Sequence, residues 1–507
     1  MKINPRYKPS AIDVVFDVMI LILGVFVVLR WFPFTTNTPF QKYLVPAVVY
    51  LLTWTLSSYF FGRYLPLHLQ KYLKTNLKLF YTSWVVFGLL WLISLVFFKG
   101  SYSVYVIFTF TTIVFGINFA FYILYFAILY AVEYDVTPQT PQKRENSVYK
   151  PKPDLDEEAY NTLSNTILAY RGQKILNVLA EKANISNSGT LVMFASNYFD
   201  LNAKPNYKYS TIINLELLNN IRGINKLFSL VNNKLPDEGL FVCLFESKST
   251  RKMRLLKKLP KGFKFIVYSL DFIFRRIIPK IFITRRLYYD ITKGKKRILS
   301  KTEVLGRLYF CGFEVVEDKK VDHLNLVIAR RYKQPDVIEK KTYGPFIRLR
   351  RVGKNGKKFN VYKMRTMHPY SEYLQAYIYE RNNLKEGGKF NKDIRITTLG
   401  KFMRKYWLDE LPMIFNLING DMKLVGVRPL SAHYFNLYSV ELQELRTKFK
   451  PGLLPPFYAD MPKTLDEIQE SEMKYLELCN KNGVFFTDIK YFYLILRNIF
   501  FRKARSA

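Results

Sequence analysis

The sequence predicts a multidomain membrane protein: an α-helical transmembrane bundle, an α/β middle domain, and an α+β, mainly helical C-terminal domain with a small β-hairpin. Three observations carry this. Four apolar stretches, about Ala11–Leu29, Leu44–Phe61, Phe80–Phe98 and Tyr105–Ala131, each suit a bilayer-spanning helix of ~20 residues. Beyond them, short apolar runs alternate with helix-like segments, the pattern of an α/β layered domain. Further on, Ile347–Val352 and Phe359–Lys363 alternate apolar and basic residues about Gly353-Lys-Asn-Gly-Lys357, a hairpin with the turn chemistry it needs. The expected divisions are residues 1–134, a linker at 135–156, a middle domain at 157–335 and a C-terminal domain at 336–507.

The first apolar stretch has no small-residue cleavage site and three further stretches follow it, so it reads as a span and not a signal peptide. Lys2, Arg6 and Lys8 precede it, and Arg63, Lys71, Lys74 and Lys78 lie between spans two and three. By the positive-inside rule both termini are cytoplasmic. Asp13 and Asp17 share a face of span one. Asp17 is the deeper; a functional role and a place facing the bundle interior are both open to it.

Net charge is +37 over 507 residues, and the first 135 residues contribute only +6 of it. A basic soluble part beside a membrane attracts anionic lipid or phosphorylated substrates. Tethering restricts access to nucleic acid, so no nucleic-acid partner is expected. Cys243, Cys311 and Cys479 are widely spaced, which argues against a disulfide framework or a zinc site and for a reducing compartment. His68, His323, His368 and His433 show no metal-ligand spacing; of the four, His368 is the one expected near the active site.

Asp135–Asp156 is proline-bearing and charged with no apolar period, hence a linker. Asp156–Ala183 has helical spacing. The apolar runs Gly189–Ser196, Thr211–Ile213, Leu215–Leu235, Gly239–Phe245 and Leu324–Arg330 follow. The order around Leu235-Pro-Asp-Glu-Gly239 and Gly312-Phe313 looks like the late part of a class I methyltransferase fold. After Leu191–Ala195, however, Ser196-Asn-Tyr-Phe offers no glycine turn for a nucleotide or methionine moiety. The expectation is a Rossmann-like, non-catalytic spacer. Phe263–Phe282 mixes aromatic and basic residues around Pro279. It reads either as a segment at the bilayer interface, with Arg275, Arg276 and Lys280 toward phosphates, or as a core helix.

The C-terminal domain centres on Trp407–Leu430, WLDELPMIFNLINGDMKLVGVRPL. Asp409 and Glu410 precede Pro412, and proline suits a helix's first turn, so Pro412–Leu417 reads as a helix start. The acid pair then lies at the positive helix end, with Arg404 before it and Arg428 after a turn at Asn419-Gly420. Acids, arginines and a helix terminus together suggest phosphate chemistry; simple N-capping by the acids is the other reading. The hairpin brings Arg350, Arg351, Lys363 and Arg365 into one basic neighbourhood able to clamp a diphosphate, or to serve as a solvated edge. Asp421 suits turn capping as well as a site. Tyr370–Arg381 is expected to be helical, Asn382–Lys392 a loop and Leu399–Lys405 a basic helix. Thr464–Leu478 has helical period. Tyr491–Phe501 reads as a helix on the bilayer surface or as a buried terminal helix.

Six motifs occur in order: Arg351-Val-Gly-Lys-Asn-Gly, Phe359-Asn-Val-Tyr-Lys-Met-Arg-Thr-Met367, Asp393-Ile-Arg-Ile-Thr397, Leu408-Asp-Glu-Leu-Pro412, Gly420-Asp-Met422 and Leu424-Val-Gly-Val-Arg-Pro429. Over roughly Tyr343–Gly452 this resembles the bacterial sugar transferase family, the polyprenyl-phosphate phosphoglycosyl transferases. The resemblance implies transfer of a sugar 1-phosphate from a nucleoside diphosphate-sugar to polyprenyl phosphate, initiating a cell-surface polysaccharide at the bacterial cytoplasmic membrane. It implies Asp409 as the nucleophile, forming an aspartyl-phosphosugar. It implies Glu410 as ligand to a Mg²⁺ cofactor, and Arg404, Arg428, Lys363 and Arg365 on substrate phosphates. Larger members carry an N-terminal four-helix bundle and a Rossmann-like middle domain, and a homo-oligomer is compatible with the type. Members normally place a proline-broken re-entrant helix directly before the catalytic region, where this chain has the strand-like Val321–Arg331. After Lys450-Pro-Gly452 the loop Leu453–Lys463 also departs from the family, though Tyr458 and Asp460 there are candidate substrate contacts. Rival readings are a membrane scaffold without turnover and a methyltransferase acting through the middle domain.

Overall fold

A computed structural model of the chain describes residues 11–31, 41–65, 70–97, 104–133, 152–194, 199–260, 262–280, 282–336, 343–375, 377–378, 393–462 and 464–501. Lys2, Arg6, Lys8, His68, most of the expected linker, Ser196–Tyr198 and the loop Asn382–Lys392 lie outside the described residues. Contacts divide the chain into two compact units. One holds residues 1–132 with 344–347, the other residues 133–343 and 348–507.

In the first unit four apolar helices follow one another: α1 (Ala11–Trp31), α2 (Gln41–Phe60), α3 (Tyr72–Phe97) and α4 (Val104–Leu129). Neighbours in sequence pack together and α1 closes against α4, around a core that includes Ile20, Trp54, Leu79, Val86, Val114 and Phe126. Outward-facing positions are apolar too, among them Leu52, Phe60, Trp84 and Phe97. A helix apolar all round matches lipid and not water. Among the described residues α3 and α4 are long and apolar enough to cross a membrane; the apolar stretches of α1 and α2 are shorter, Val14–Gly24 and Val45–Phe60.

Asp17 faces the bundle interior. It is buried and ion-paired to Arg63 at 3.1 Å, and it accepts from Trp54 Nε1 at 3.1 Å. Arg63 also donates to Ser58 Oγ, Asn118 Oδ1 and Tyr122 OH. A buried charge pair persists only when its remaining hydrogen-bonding capacity is met, and this network draws on all of α1, α2 and α4. Arg63 is therefore no loop charge, which removes it from the positive-inside count. Lys78 is also engaged, donating to Gly62 O and Gln70 Oε1 where α2 ends. Lys71 and Lys74 stay exposed.

The second unit begins with α5 (Glu157–Arg171), capped by Asp156 on Ala159 N, and α6 (Gln173–Lys182); Gly172 at φ 84° breaks the helical run between them. Five strands form one mixed sheet: β1 (Thr190–Met193), β2 (Thr211–Leu217), β3 (Leu240–Phe245), β4 (Phe313–Val321) and β5 (Leu324–Arg331). The order is β1-β2-β3-β5-β4. The first three are parallel, with Thr190 beside Thr211 and Thr211 beside Leu240; β5 then runs antiparallel to both β3 and β4. The run expected from Leu215 divides into the end of β2 and a helix, α7 (Ile224–Lys234), because its apolar spacing changes period after Leu217. The strand-like run Val321–Arg331 divides at a turn, Asp322-His323, with Val321 ending β4 and Leu324–Arg331 forming β5.

Between β3 and β4 lie four helices: α8 (Lys248–Lys258), α9 (Lys264–Phe272), α10 (Phe282–Thr292) and α11 (Lys301–Phe310). One face of the sheet packs on α5 and α6, the other on α7 and α11. Tyr370, Leu374, Tyr377 and Ile378 complete this second core, so the start of the C-terminal region is built into the middle sheet's packing. At Gly306 of α11 any Cβ would collide with Tyr370 O. Tyr370 itself is left-handed (φ 62°) and a short 3₁₀ turn, Ser371–Leu374, follows it; of the helix expected over Tyr370–Arg381, Gln375, Tyr377 and Ile378 are helical and residues 379–381 lie outside the described residues.

The hairpin strands are β6 (Phe346–Val352) and β7 (Lys358–Met364), joined through a turn with Asn355 and Gly356 at positive φ. After them come α12 (Thr398–Lys405), α13 (Ile414–Ile418), β8 (Lys423–Val425), α14 (Val440–Lys448), β9 (Gly452–Leu454), α15 (Leu465–Asn482) and α16 (Val484–Phe501). β8 and β9 pair in parallel. Lys423 bonds Asp488 at 2.8 Å and Tyr475 OH at 2.9 Å, tying β8 to the last two helices. α16 is packed on one face only. Tyr491 and Ile495 are buried in the core, while Phe485, Tyr493 and Phe500 face outward. All three cysteines are free and buried.

Candidate active site

The site is assembled where α12 ends. Thr397 caps that helix, accepting from Gly400 N at 2.8 Å, and its own N–H donates to Thr366 O at 2.9 Å. Gly400 presses on the same carbonyl, and a Cβ there would collide with Thr366 O. Arg404, one helical turn on, donates from Nε to Thr366 Oγ1 at 3.0 Å. Three contacts thus fix α12 to the chain just beyond β7, and so aim Arg404.

Trp407 then takes the left-handed conformation (φ 55°), which costs a bulky residue of order 1–3 kcal/mol and persists only where its surroundings over-determine it. Its indole N–H donates to Tyr458 OH at 3.3 Å and its ring meets Tyr458 edge-on. This turn reverses the chain into a 3₁₀ segment, Leu408–Met413, that carries Asp409 and Glu410 in its first turn. The helical start expected at Pro412 comes earlier and tighter. Pro412 sits buried inside the 3₁₀ turn, and α-geometry begins only at Ile414.

The 3₁₀ segment packs on β7. Asn416, fully buried, locks the two together. It accepts from Tyr362 N at 3.2 Å and donates to Asn360 O at 2.7 Å. Beneath lie Val361, Met413 and Met422 as a small apolar floor. Strand alternation turns Lys363 to the same face as Val361, and its ammonium reaches Glu410 Oε1 at 2.7 Å.

Burial lowers the Lys363 pKa; the Glu410 charge opposes that, and Arg428 adds to it. Burial raises the Asp409 carboxyl above its ordinary value, Glu410 pushes the same way, and Lys363 and Arg404 counter both. Among the described residues Asp409 makes no ion pair within 4 Å. It is the acid of the pair without a salt-bridge partner, while Glu410 is paired with Lys363. Of the six residues singled out in the sequence, five share one electrostatic neighbourhood: Asp409, Glu410, Lys363, Arg404 and the exposed Arg428. Arg365 stacks over the Tyr343 ring at 4.9 Å and lies in the field of Lys280.

Other candidates fall elsewhere. Asp421 is exposed in the turn after α13, where its N–H donates to Asn416 O, as turn capping requires. Tyr458 is buried, and Asp460 accepts from Ser471 Oγ at 2.6 Å; both belong to the packing of the proline-set loop. His368 lies against α11, its Nδ1 3.2 Å from Ser300 Oγ. Burial, with Arg276 next, pushes its pKa down to about 4. Arg350 and Lys357 are exposed on the hairpin. Thr366, Trp407 and Asn416 were not singled out from the sequence. Thr366 stands inside the Lys363–Met367 motif, and an asparagine within an apolar helical run was the available sign for Asn416.

Among the described residues no group of three His, Cys, Asp or Glu side chains is arranged to hold a metal. A Mg²⁺ that shares its coordination with substrate phosphates needs only one or two protein carboxylates. Adjacent Asp409 and Glu410, with one ammonium against the second, meet that requirement and retain charge for a cation to offset.

Residues 336–502 match the family described as bacterial sugar transferase. The chain is 34% identical over 151 residues to a galactosyl transferase, CpsE, of Streptococcus agalactiae, covering 29% of this chain and 32% of that protein. It is 39% identical over 108 residues to the undecaprenyl-phosphate galactose phosphotransferase of Salmonella typhimurium, covering 20% and 22%. To the UDP-glucose:undecaprenyl-phosphate glucose-1-phosphate transferase of Xanthomonas campestris it is 37% identical over 115 residues, 22% of each chain. The chain thus spans about a third or less of the length of these relatives.

Proposed function

We propose that the protein is a membrane-bound phosphoglycosyl transferase that moves a sugar 1-phosphate from a UDP-sugar, or another nucleoside diphosphate-sugar, to a polyprenyl phosphate. The observation that carries this is the pair Asp409–Glu410. One acid is held by Lys363 and the other is left basic and unpaired by salt bridge, beside Arg404 and Arg428. The names of the relatives support the donor and the acceptor classes. The four apolar helices would anchor the chain in the bacterial cytoplasmic membrane, with both termini and the transferase region in the cytoplasm and a polysaccharide precursor as the product's destination.

In the first step an Asp409 oxygen attacks the β-phosphorus, the one bearing the sugar. The bond to the bridging diphosphate oxygen breaks and nucleoside monophosphate leaves. In the second step a phosphate oxygen of the polyprenyl phosphate attacks the same phosphorus and Asp409 leaves as carboxylate. Covalent relay through a carboxylate divides one difficult displacement into two. Two anions must meet in each step, so cationic groups set the rate. Arg404, braced by Thr366, and Arg428 would bind phosphate oxygens; Lys363 would orient Glu410. Bound at Glu410, Mg²⁺ would supply charge neutralisation of the diphosphate. Raising the Asp409 pKa above that of a free carboxyl makes the ionised oxygen a better nucleophile.

The test is a panel of nucleotide-sugars incubated with purified full-length protein, Mg²⁺ and polyprenyl phosphate, read out by release of nucleoside monophosphate. Release with one donor class, lost in Asp409→Asn, supports the reading. Undiminished release from Asp409→Asn overturns the covalent route.

A further inference from the structure

The insert between β3 and β4 has its polarity reversed for a water-soluble protein. From Lys248 to Arg297 it holds 17 lysines and arginines against two acids, Asp271 and Asp290. One of these acids, Asp271, and several of the arginines face inward, while Asp290 is exposed. Asp271 takes two bonds from Arg251, at 2.7 and 2.8 Å, and one from Arg275 at 3.0 Å; Arg276 pairs with buried Glu303 at 2.6 Å. The sequence reading that aimed Arg275 and Arg276 at phosphates is therefore corrected: Arg275 is paired within the insert to Asp271, and Arg276 ties the insert to Glu303 of α11. The apolar side chains face outward instead. Phe263, Ile266, Leu270, Ile273 and Ile277 recur three or four apart along α9 and the π-turn that follows it, between 41% and 68% exposed. Leu287 and Ile291 on α10 are exposed as well. An amphipathic helix in water turns such a stripe to the core.

We infer that this insert is a docking surface for an anionic lipid bilayer. The outward stripe enters the headgroup and acyl boundary, and the surrounding lysines meet lipid phosphates. Lys257 and Lys258 end α8, and Lys293, Lys295 and Lys296 follow α10, all exposed and free of ion pairs among the described residues. Exposed apolar stripe plus unpaired basic rim is the composition of helices that lie in a bilayer interface. A second copy of the chain would bring the same positive charge to the same face and be repelled. Nucleic acid would use the lysines and leave the aliphatic stripe in water. The inference is independent of sugar transfer, since it concerns what covers this face.

The experiment places an environment-sensitive fluorophore on Ile266→Cys and, separately, Leu270→Cys of the full-length protein; the three native cysteines are buried. Lys319→Cys on exposed β4 serves as the control position. The protein is held in nanodiscs of phosphatidylcholine, with or without phosphatidylglycerol, containing brominated acyl chains. The expected result is a blue shift and bromine quenching at 266 and 270 in the anionic discs, weaker quenching in neutral discs, and none at 319. Lys295→Glu with Lys296→Glu should raise the phosphatidylglycerol needed for half-maximal quenching, by about fivefold for each lysine removed. Quenching at 266 and 270 no greater than at 319 would overturn the inference. Equal quenching in neutral and anionic discs would overturn the anionic assignment. Shielding of unquenched probes by added RNA would assign the surface to nucleic acid instead.

Discussion

Lys363 Nζ lies 2.7 Å from Glu410 Oε1, and that single contact sets the charge balance of the carboxylate pair. Both side chains are more than four-fifths shielded from water. Removing one partner of such a pair strands the other's charge next to Asp409. Lys363→Met is expected to reduce nucleoside monophosphate release by about 30- to 1,000-fold, the ~2–4 kcal/mol of a buried charge-assisted contact at a reacting centre. Steady-state kinetics with a saturating donor would show whether the loss falls on turnover.

The same substitution has a signature in pH. Asp409 must be ionised to attack, and its pKa is raised by burial and by Glu410 while Lys363 lowers it. The rate therefore falls on the acid side as Asp409 protonates. Without Lys363 the acid limb of the pH–rate profile should move to higher pH; an unmoved limb would mean another group governs it.

Asp409 also weighs on stability, in the opposite sense to most surface acids. Its folded pKa is raised, so its contribution is fully present below the unfolded pKa and is lost as pH rises through the folded value. Asp409→Asn is expected to raise the unfolding temperature at pH 7–8 and to leave it unchanged near pH 3. Thermal unfolding in detergent at the two pH values checks this.

His368 runs the other way. Burial and Arg276 hold it down to about 4, so the folded protein keeps it neutral where the unfolded chain would protonate it. Stability should be intact above the ordinary histidine value near 6.5 and should fall between there and pH 4, by up to about 3 kcal/mol. In His368→Gln that part of the acid dependence should vanish.

Tyr458 is expected to act through Trp407 and not on the substrate. Its hydroxyl accepts from Trp407, whose left-handed backbone directs the acid-bearing turn. Tyr458→Phe should lower turnover severalfold and leave the Michaelis constant for the donor nearly unchanged, with the fold retained. A shift in the Michaelis constant alone would return Tyr458 to substrate binding.

Much of this was legible in the sequence because it depends on local pattern. The hairpin turn at Asn355-Gly356 and the helices after Asp156, Thr397 and Thr464 follow from residue type and spacing, and the charge cluster was expected from the ordered motifs. What the sequence hid depends on long-range partners. Arg63 looks like a loop charge until Asp17, forty-six positions earlier, is seen beside it. Arg275 and Arg276 look like phosphate ligands until Asp271 and Glu303 claim them. Pro412 suggests an α-helical start, but Asn416 pins the turn to β7 and tightens it. The carbonyl of Thr366, against which Gly400 packs, leaves no local mark at all.

The central claim is that the Asp409 carboxylate becomes bonded to phosphorus. The most direct measurement mixes the full-length protein with a nucleotide-sugar and Mg²⁺ in the absence of polyprenyl phosphate, quenches in acid, and weighs the peptide containing Asp409 by mass spectrometry. The account predicts a mass increase of one sugar phosphate on that peptide, matched by released nucleoside monophosphate and discharged when polyprenyl phosphate is added. Turnover in the complete mixture with no such adduct at any time, and with full activity in Asp409→Asn, would contradict it.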